Sequence, residues 1–264
     1  MSNVGNRDRR YDRQMVFEGL GPQGQRRLAG GRVLMVGVGG LGCTVVDLLA
    51  RAGVGFLRLV DDDAVTAENL HRQVLYDEQD AAERKPKVIA AAERIARINS
   101  QVKVEPIVAR LDAHNAEPLA EGIDVIVDGT DSFPARFIIN DLAVKRSLPW
   151  VFAGVVGSEA QTMTIVPGRT PCLRCVLESP PPPCQEPTCR SAGVIPPAVV
   201  AVAAIQAAEV MKLLSGHVEA ISPWLVKMDL WTNAMQRVNV TEACAGAECR
   251  CCKRREFDYL AGGA

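Results

Sequence analysis

The 264-residue sequence predicts an α/β fold: a mixed sheet, parallel in its first half and antiparallel in its second, with helices on both faces. Two patterns carry that prediction. Up to residue 153, short apolar runs alternate with helical stretches, as in βαβ units around a parallel sheet. After Gly154, strand-like runs follow one another with turn residues around them, the pattern of antiparallel neighbours.

The elements follow in order. "RYDRQMVFEGLGPQGQRRLAG", residues 10–30, is a charged arm and a short helix closed by Gly30 and Gly31. Strand-like runs occupy 33–36, 56–60, 102–108, 125–127 and 150–153, with helical stretches at 44–51, 86–98 and 136–146. "AQTMTIVPG" and "PWLVKMDLWTNAMQRVNV" supply the later strands, and "SPPPPCQEPTCRSAG" between them is a proline-rich polar loop. Pro196 and Pro197 open a long apolar helix through Leu214, which Gly216 stops.

Thirty basic residues against 31 acidic ones give no global pull toward nucleic acid or membrane. The polar opening "MSNVGNRDRRYDRQ" lacks the apolar region of a signal peptide. The apolar tract 194–214 is interrupted by Pro196, Pro197, Gln206 and Glu209, too polar for a membrane span. The expectation is a cytoplasmic protein with no membrane or nucleic-acid partner. In a reducing compartment its nine cysteines are ligands, nucleophiles or core thiols rather than disulfides.

"VLMVGVGGLGCTVVDLLARAG" carries Gly37, Gly39, Gly40 and Gly42 between an apolar strand and a helix. Gly37-x-Gly39-x-x-Gly42 fits the Rossmann-like dinucleotide fingerprint, in which backbone N–H groups approach phosphate at a helix N-terminus. Asp61 ends "FLRLVD", and "IVDGTDS" places Asp128, Asp131 and Ser132 at another strand end. Each alone is explained as a turn or cap residue; together they point at one crevice beyond the strand ends. "ENLHRQ" adds Asn69, Arg72 and Gln73, and "RKPKV" adds Lys87. Cations aimed into such a crevice suit charge that develops or departs. A nicotinamide cofactor keeps its pyrophosphate, whereas ATP cut after the α-phosphate expels one. For any single cation a solvated helix face is the better explanation, and Lys85 is assigned there.

Cys172-x-x-Cys175 and Cys249-x-x-Cys252 have the spacing of a four-cysteine zinc site, with a gap so long that the fold must join the pairs. Cys244 and Cys251 compete with the second pair. Cys43 has the character of a small core residue, and of the histidines only His71 falls within a motif.

Taken together, "RYDRQ", "GVGGLG", "LVDDDAVTAENLHRQ", "KPKV", "DGTDS", "PCLRC", "AGV" and "CRCCKRREFDYL" resemble the MoeB/ThiF/HesA family, bacterial relatives of the ubiquitin-activating enzymes. The resemblance implies an ATP- and Mg2+-dependent adenylyltransferase. Its substrate would be the C-terminal glycine carboxylate of a ubiquitin-like sulfur-carrier protein ending in Gly-Gly. The pathway would be molybdopterin, thiamine or another sulfur-containing metabolite. Gly40 and its neighbours would cradle the ATP phosphates and Asp61 would hold the ribose. Asn69, Arg72 and Lys87 would bind and polarise the triphosphate, with Gln73 and Ser132 beside them. Asp131 matches the aspartate required with magnesium. Arg13 matches an arginine that reaches the partner subunit's ATP, so a homodimer is implied. Cysteine pairs at both places imply a structural Zn2+ on Cys172, Cys175, Cys249 and Cys252. Cys189, just before "AGV", matches the position that bonds the carrier covalently in some relatives, although a bystander thiol fits equally.

On this reading residues 1–264 are a single adenylation domain, with 31–149 the nucleotide-binding half and 150–264 the carrier-binding and zinc half. The loop "ESPPPPCQEPTCRS" would cover the carrier's tail. No sulfur-transfer domain is expected after "FDYLAGGA", and with it a separate sulfur donor is expected. Trp150, Phe152 and Trp224 are candidates for an apolar carrier-facing patch, though core packing explains them equally. Rival readings are a same-fold adenylyltransferase acting on modified tRNA or a peptide terminus, an NAD-dependent oxidoreductase, and a scaffold without ATP chemistry.

Overall fold

Successive residues of a strand point to opposite faces, and in the first strand both faces are buried. Val33 and Met35 enter one hydrophobic core while Leu34 and Val36 enter the other. Two covered faces explain why such strands are unbroken apolar runs rather than alternating ones. The computed structural model describes residues 8–181, 192–241 and 248–261. Its strands are β1 (Arg32–Val36), β2 (Phe56–Val60), β3 (Lys103–Ile107), β4 (Val125–Asp128), β5 (Trp150–Val156), β6 (Glu159–Ile165), β7 (Trp224–Asp229) and β8 (Ala234–Asn239).

They form one eight-stranded sheet in the order β3-β2-β1-β4-β5-β6-β7-β8. The pairs from β3 through β5 are parallel, and those from β5 through β8 are antiparallel. The chain builds outward from β1 to β3, then returns to place β4 on the other side of β1. That reversal opens a crevice at the carboxyl ends of β1 and β4.

The helices are α1 (Asp12–Val16), α2 (Gly21–Gly30), α3 (Gly40–Ala52), α4 (Glu78–Ala82), α5 (Lys87–Ile98), α6 (Ala116–Leu119), α7 (Phe133–Arg146), α8 (Leu173–Val176) and α9 (Pro196–Ser215). Buried side chains of α2, α3, α5 and α9 share one core, and those of α6, α7 and α8 share the other. α9 is long and apolar enough to cross a membrane by length and composition, with a mean hydropathy of 1.7. It is nonetheless seated on the sheet through its polar residues. Gln206 Nε2 donates to the carbonyls of Asp128 (2.8 Å) and Val151 (3.1 Å), and Glu209 accepts from Thr164 Oγ1 at 2.9 Å.

Two helices begin earlier than side-chain periodicity predicts. α3 starts at Gly40, inside the glycine turn, because residues without side chains carry no periodicity. α7 starts at Phe133, where Ser132 Oγ accepts from Ala135 N at 3.4 Å and a proline occupies the first turn. The run 223–240 divides into the β7–β8 hairpin, with Asn233 at φ +58° in the turn.

Candidate active site

The glycine turn is built by close approach. Gly37 has φ +84°, and a Cβ there would lie 2.8 Å from the Gly129 carbonyl carbon. Gly42 is not among the residues that line the cleft. A Cβ on Gly42 would lie 2.1 Å from the Gly37 oxygen, so its role is to let α3 seat against β1. Gly39 is different: a Cβ there would meet only Gln73 Nε2, at 3.8 Å. The space in front of Gly39, at the start of α3, is open to an anion, while Gly40 packs closely under Val199 and the Arg72 stem, 3.1 Å and 3.4 Å from where its Cβ would lie. Behind the turn, the Val38 carbonyl accepts from Tyr76 Oη at 2.8 Å and Cys43 Sγ at 3.2 Å. Burial pushes the Cys43 thiol up to about 12, which makes it an inert packing residue.

A cleft of about 1570 Å³ runs from this turn across the ends of β1, β2 and β4 and onto β5–β8. It exceeds the several hundred cubic ångströms, up to ~1000, of ordinary small-molecule pockets. Asp61 lies on its wall, and its carboxylate accepts from Val38 N at 2.7 Å and Asp63 N at 2.8 Å. Burial raises its pKa while Lys87 pulls it down. Arg72 Nη2 donates to Asn69 Oδ1 at 2.8 Å, and Asn69 Nδ2 donates to Thr66 Oγ1 at 2.6 Å. His71 lies beside them on the exposed side. Gln73 is buried on the cleft wall and its Oε1 has no hydrogen-bond partner among the described residues, an orphan polar atom of the kind a ligand satisfies.

Lys87 opens α5, with its N–H bonded to the Asp63 carbonyl and its Nζ 2.6 Å from Asp63 Oδ2. Lys85 instead pairs with Asp80, Glu83 and Glu93 outside the cleft, as expected. Behind the Gly129–Ser132 part of the wall, Asp128 is fully buried and paired with Arg136, Nε to Oδ2 at 2.9 Å. Burial pushes the Asp128 carboxyl up to about 6, against the pull of Arg136. Arg136 Nη2 also donates to the carbonyls of Thr130 and Ala153, stitching the Gly129–Asp131 loop to β5. Asp131 is exposed at the cleft and Ser132, half-buried, caps α7. Asp63 and Arg136 are absent from the sequence-based site. A third aspartate in "DDD" and an arginine inside a helical pattern have no local feature that sets them apart.

Arg13 is exposed on α1 and is not part of its own chain's cleft wall. Cys184, Cys189 and Cys244 lie outside the described residues. Trp150 and Phe152 are core residues, 0% and 4% exposed, which removes them from a docking patch. Trp224 is half-buried, whereas Trp231 and Met235 on the β7–β8 hairpin are 78% and 71% exposed.

The two cysteine pairs come together behind α7. The sulfurs of Cys172, Cys175, Cys249 and Cys252 all lie within 4.8 Å of one another. The separations are 3.7 Å for Cys172–Cys175, 3.6 Å for Cys172–Cys249 and 3.4 Å for Cys175–Cys252. Tetrahedral Zn–S bonds of about 2.3 Å require sulfurs about 3.8 Å apart, so the donor set fits a structural zinc. Cys251 is not one of these four, although its thiol borders Cys172 and Asp141; its sulfur accepts from Asn140 Nδ2 at 3.3 Å. Asn140 Oδ1 in turn accepts from Leu173 N, and Asp141 pairs with Arg174, so α7 is bolted to both cysteine segments.

The sheet reversal, the open helix N-terminus and the flanking cations define a nucleotide-binding α/β protein whose cleft continues onto a second floor. The chain belongs to the ThiF family, whose model matches residues 11–251. The sulfur carrier protein ThiS adenylyltransferase of Bacillus subtilis is 41% identical over 251 residues, covering 95% of this chain and 73% of that protein. The SAMP-activating enzyme E1 of Haloferax volcanii is 40% identical over 83% of this chain and 80% of that protein. A sulfur carrier protein adenylyltransferase of Thermus thermophilus is 37% identical over 88% and 86%. Among solved structures, E. coli MccB with ATP superposes with a TM-score of 0.77 at 24% identity, over 88% of this chain and 72% of that one, which shows a shared fold.

Proposed function

We propose that this chain uses ATP to adenylate the C-terminal glycine carboxylate of a ubiquitin-like sulfur-carrier protein, releasing pyrophosphate. The carried product serves a sulfur-containing cofactor pathway of the molybdopterin or thiamine type. One observation carries the reading: Arg72 and Lys87 flank an open helix N-terminus, with Asp131 exposed on the facing wall of the same cleft. An oxidoreductase gives these two cations and the cysteine cluster no task.

The chemistry needs little from the protein beyond placement and charge. The carrier's carboxylate is already an anion at neutral pH, so no general base is required. One of its oxygens attacks the α-phosphorus and forms the acyl-phosphate bond. The bond from that phosphorus to the bridging oxygen breaks, and the electron pair leaves with pyrophosphate. The N-terminus of α3 holds the phosphates, Asp61 takes the ribose hydroxyls, and Arg72 and Lys87 offset the charge that builds on the leaving group. The exposed carboxylates of Asp131, Asp62 and Asp63, with half-buried Asp61 beside the last two, are hard oxygen donors suited to Mg2+, which when bound would neutralise phosphate charge.

Zinc on the four cysteines would act structurally, since four thiolates leave no open coordination position. A homodimer in the cytoplasm completes the proposal, with Arg13 reaching the partner's ATP. Val16 and Phe17, 78% and 69% exposed beside Arg13, support an apolar interface there. Cys189 is kept as the candidate for a covalent bond to the carrier.

The test is pyrophosphate exchange into ATP with carriers ending in Gly-Gly. Exchange that requires a carrier, and that Asp131→Ala abolishes without unfolding the protein, is the expected result. NAD(H) binding without ATP binding would overturn the proposal.

A further inference from the structure

Arg136 is a poor candidate for a purely structural arginine, because only part of its fork is used. It is 5% exposed, and its guanidinium carbon lies 4.9 Å from the Phe133 ring centroid and 5.1 Å from that of Phe152. Nε is taken by Asp128, and Nη2 by the Thr130 and Ala153 carbonyls. None of these bonds uses Nη1. Nη1 and Nη2 both approach Gly154, a glycine in the middle of β5, where a missing side chain leaves room for a ligand or another backbone. A Cβ on Gly154 would lie 3.5 Å from Arg136 Nη2, 3.8 Å from Nη1 and 3.8 Å from Gln161 Nε2. All three residues line the cleft.

The gap over Gly154 is therefore bounded by N–H donors. Strand register extends the row outward: Gly154 pairs with Gln161, Gln161 with Lys227, and Lys227 with Gln236 on β8. The next row on the same face holds Glu159 and Asp229, which line the cleft beside it. The Asp128 carboxylate, one oxygen on Thr130 N and the other on Arg136, is engaged from behind.

We propose that Arg136 Nη1, over the Gly154 gap, receives the carboxylate terminus of the incoming chain, with the Gln161–Lys227–Gln236 row guiding that chain in from the sheet edge. The inference rests on the adenylation reading and deepens it. The Gly129–Asp131 loop is the shared wall: Gly37 of the nucleotide turn packs on one side of it and Arg136 holds the other. A carboxylate seated on Arg136 is thereby oriented across that wall toward the phosphates. A rigid guanidinium already locked by three hydrogen bonds costs little entropy to use.

The test compares a ThiS-type carrier as its C-terminal acid with the same carrier as its C-terminal carboxamide, by calorimetry on the full chain. The wild type should bind the acid at least about tenfold more tightly, the scale of one charge-assisted hydrogen bond. Arg136→Lys keeps a cation for Asp128 but loses the fork, and should bind both forms alike while still binding ATP. Gly154→Ala leaves the Asp128 pair intact and meets its neighbours at ordinary contact distances, so it should reduce the preference and decides alone if Arg136→Lys does not fold. Full acid preference in the folded variants, or none in the wild type while carrier-dependent exchange persists, overturns this inference alone. Absence of exchange with every carrier overturns the adenylation reading itself.

Discussion

Lys87 Nζ lies 2.6 Å from Asp63 Oδ2, with the lysine side chain 6% exposed and the aspartate 63% exposed. The backbone repeats the link, since Lys87 N donates to the Asp63 carbonyl at 2.9 Å. The pair holds a buried ammonium at the rim of the cleft and gives it a counter-charge that solvent and nucleotide can both reach. Lys87→Met should lower carrier-dependent exchange about a hundredfold or more, the scale of losing one preorganised charge. Asp63→Asn should cost about tenfold, because the ammonium survives but loses its charged tether. Exchange rates beside thermal melts of both variants check this, and equal rates for wild type and Asp63→Asn would remove the tether from the mechanism.

Arg13 offers a test that needs no interface structure. If it acts across a dimer, Arg13→Ala and Lys87→Ala are each inactive. Mixing them under subunit exchange restores one competent site per heterodimer, about a quarter of wild-type activity for random pairing. Recovery no greater than the sum of the two variants would place Arg13 outside the partner's site.

The cysteine cluster predicts metal that can be counted. Metal analysis should find zinc in the purified protein, and chelation should lower the melting temperature, because metal binding free energy is folding free energy. Cys252→Ser should lose the metal. Cys251→Ala should keep it, since Cys251 contacts Asn140 and is not one of the four. Zinc loss in both variants would contradict the assignment of ligands.

Asp128 gives a pH dependence with a definite sign. Its carboxyl moves from an ordinary 3.8 to about 6 in the folded protein because it is buried. The folded state therefore holds this proton more tightly than the unfolded state. That contribution to stability is complete below the unfolded value and is lost as pH rises through about 6. Activity should run the opposite way, since protonation removes the charge that fixes Arg136 and its loop. Exchange should fall as pH drops through about 6, and Asp128→Asn should be slow throughout with that acid limb abolished. An unchanged limb in Asp128→Asn would assign it to another group.

Much of the site lies where residue spacing alone can find it. Gly37, Gly39, Gly40, Asp61, Lys87 and Asp131 all line the cleft because each follows an apolar strand or opens a helix. Asp63 and Arg136 escape such a search. Asp63 matters through its contact with Lys87, 24 positions away, and Arg136 is buried only because Asp128, Phe133 and Phe152 surround it. The aromatic patch fails for the converse reason: Trp150 and Phe152 have the composition of a docking surface, but the helices of one face cover them.

The sequence by itself determined the alternation of strands with the longer helices, the glycine turn and the pairing of cysteines by twos, because each depends on neighbours within a few positions; the short helices α4, α6 and α8 carry too few residues for a period to show. Only the tertiary structure decided which residues share a wall. Cys172 meets Cys249 across 77 positions, and the guanidinium of Arg136 on α7 comes to lie against Gly154 of β5. Such contacts form when burying apolar strands and helices fixes where their polar ends must meet, and no local spacing encodes that meeting.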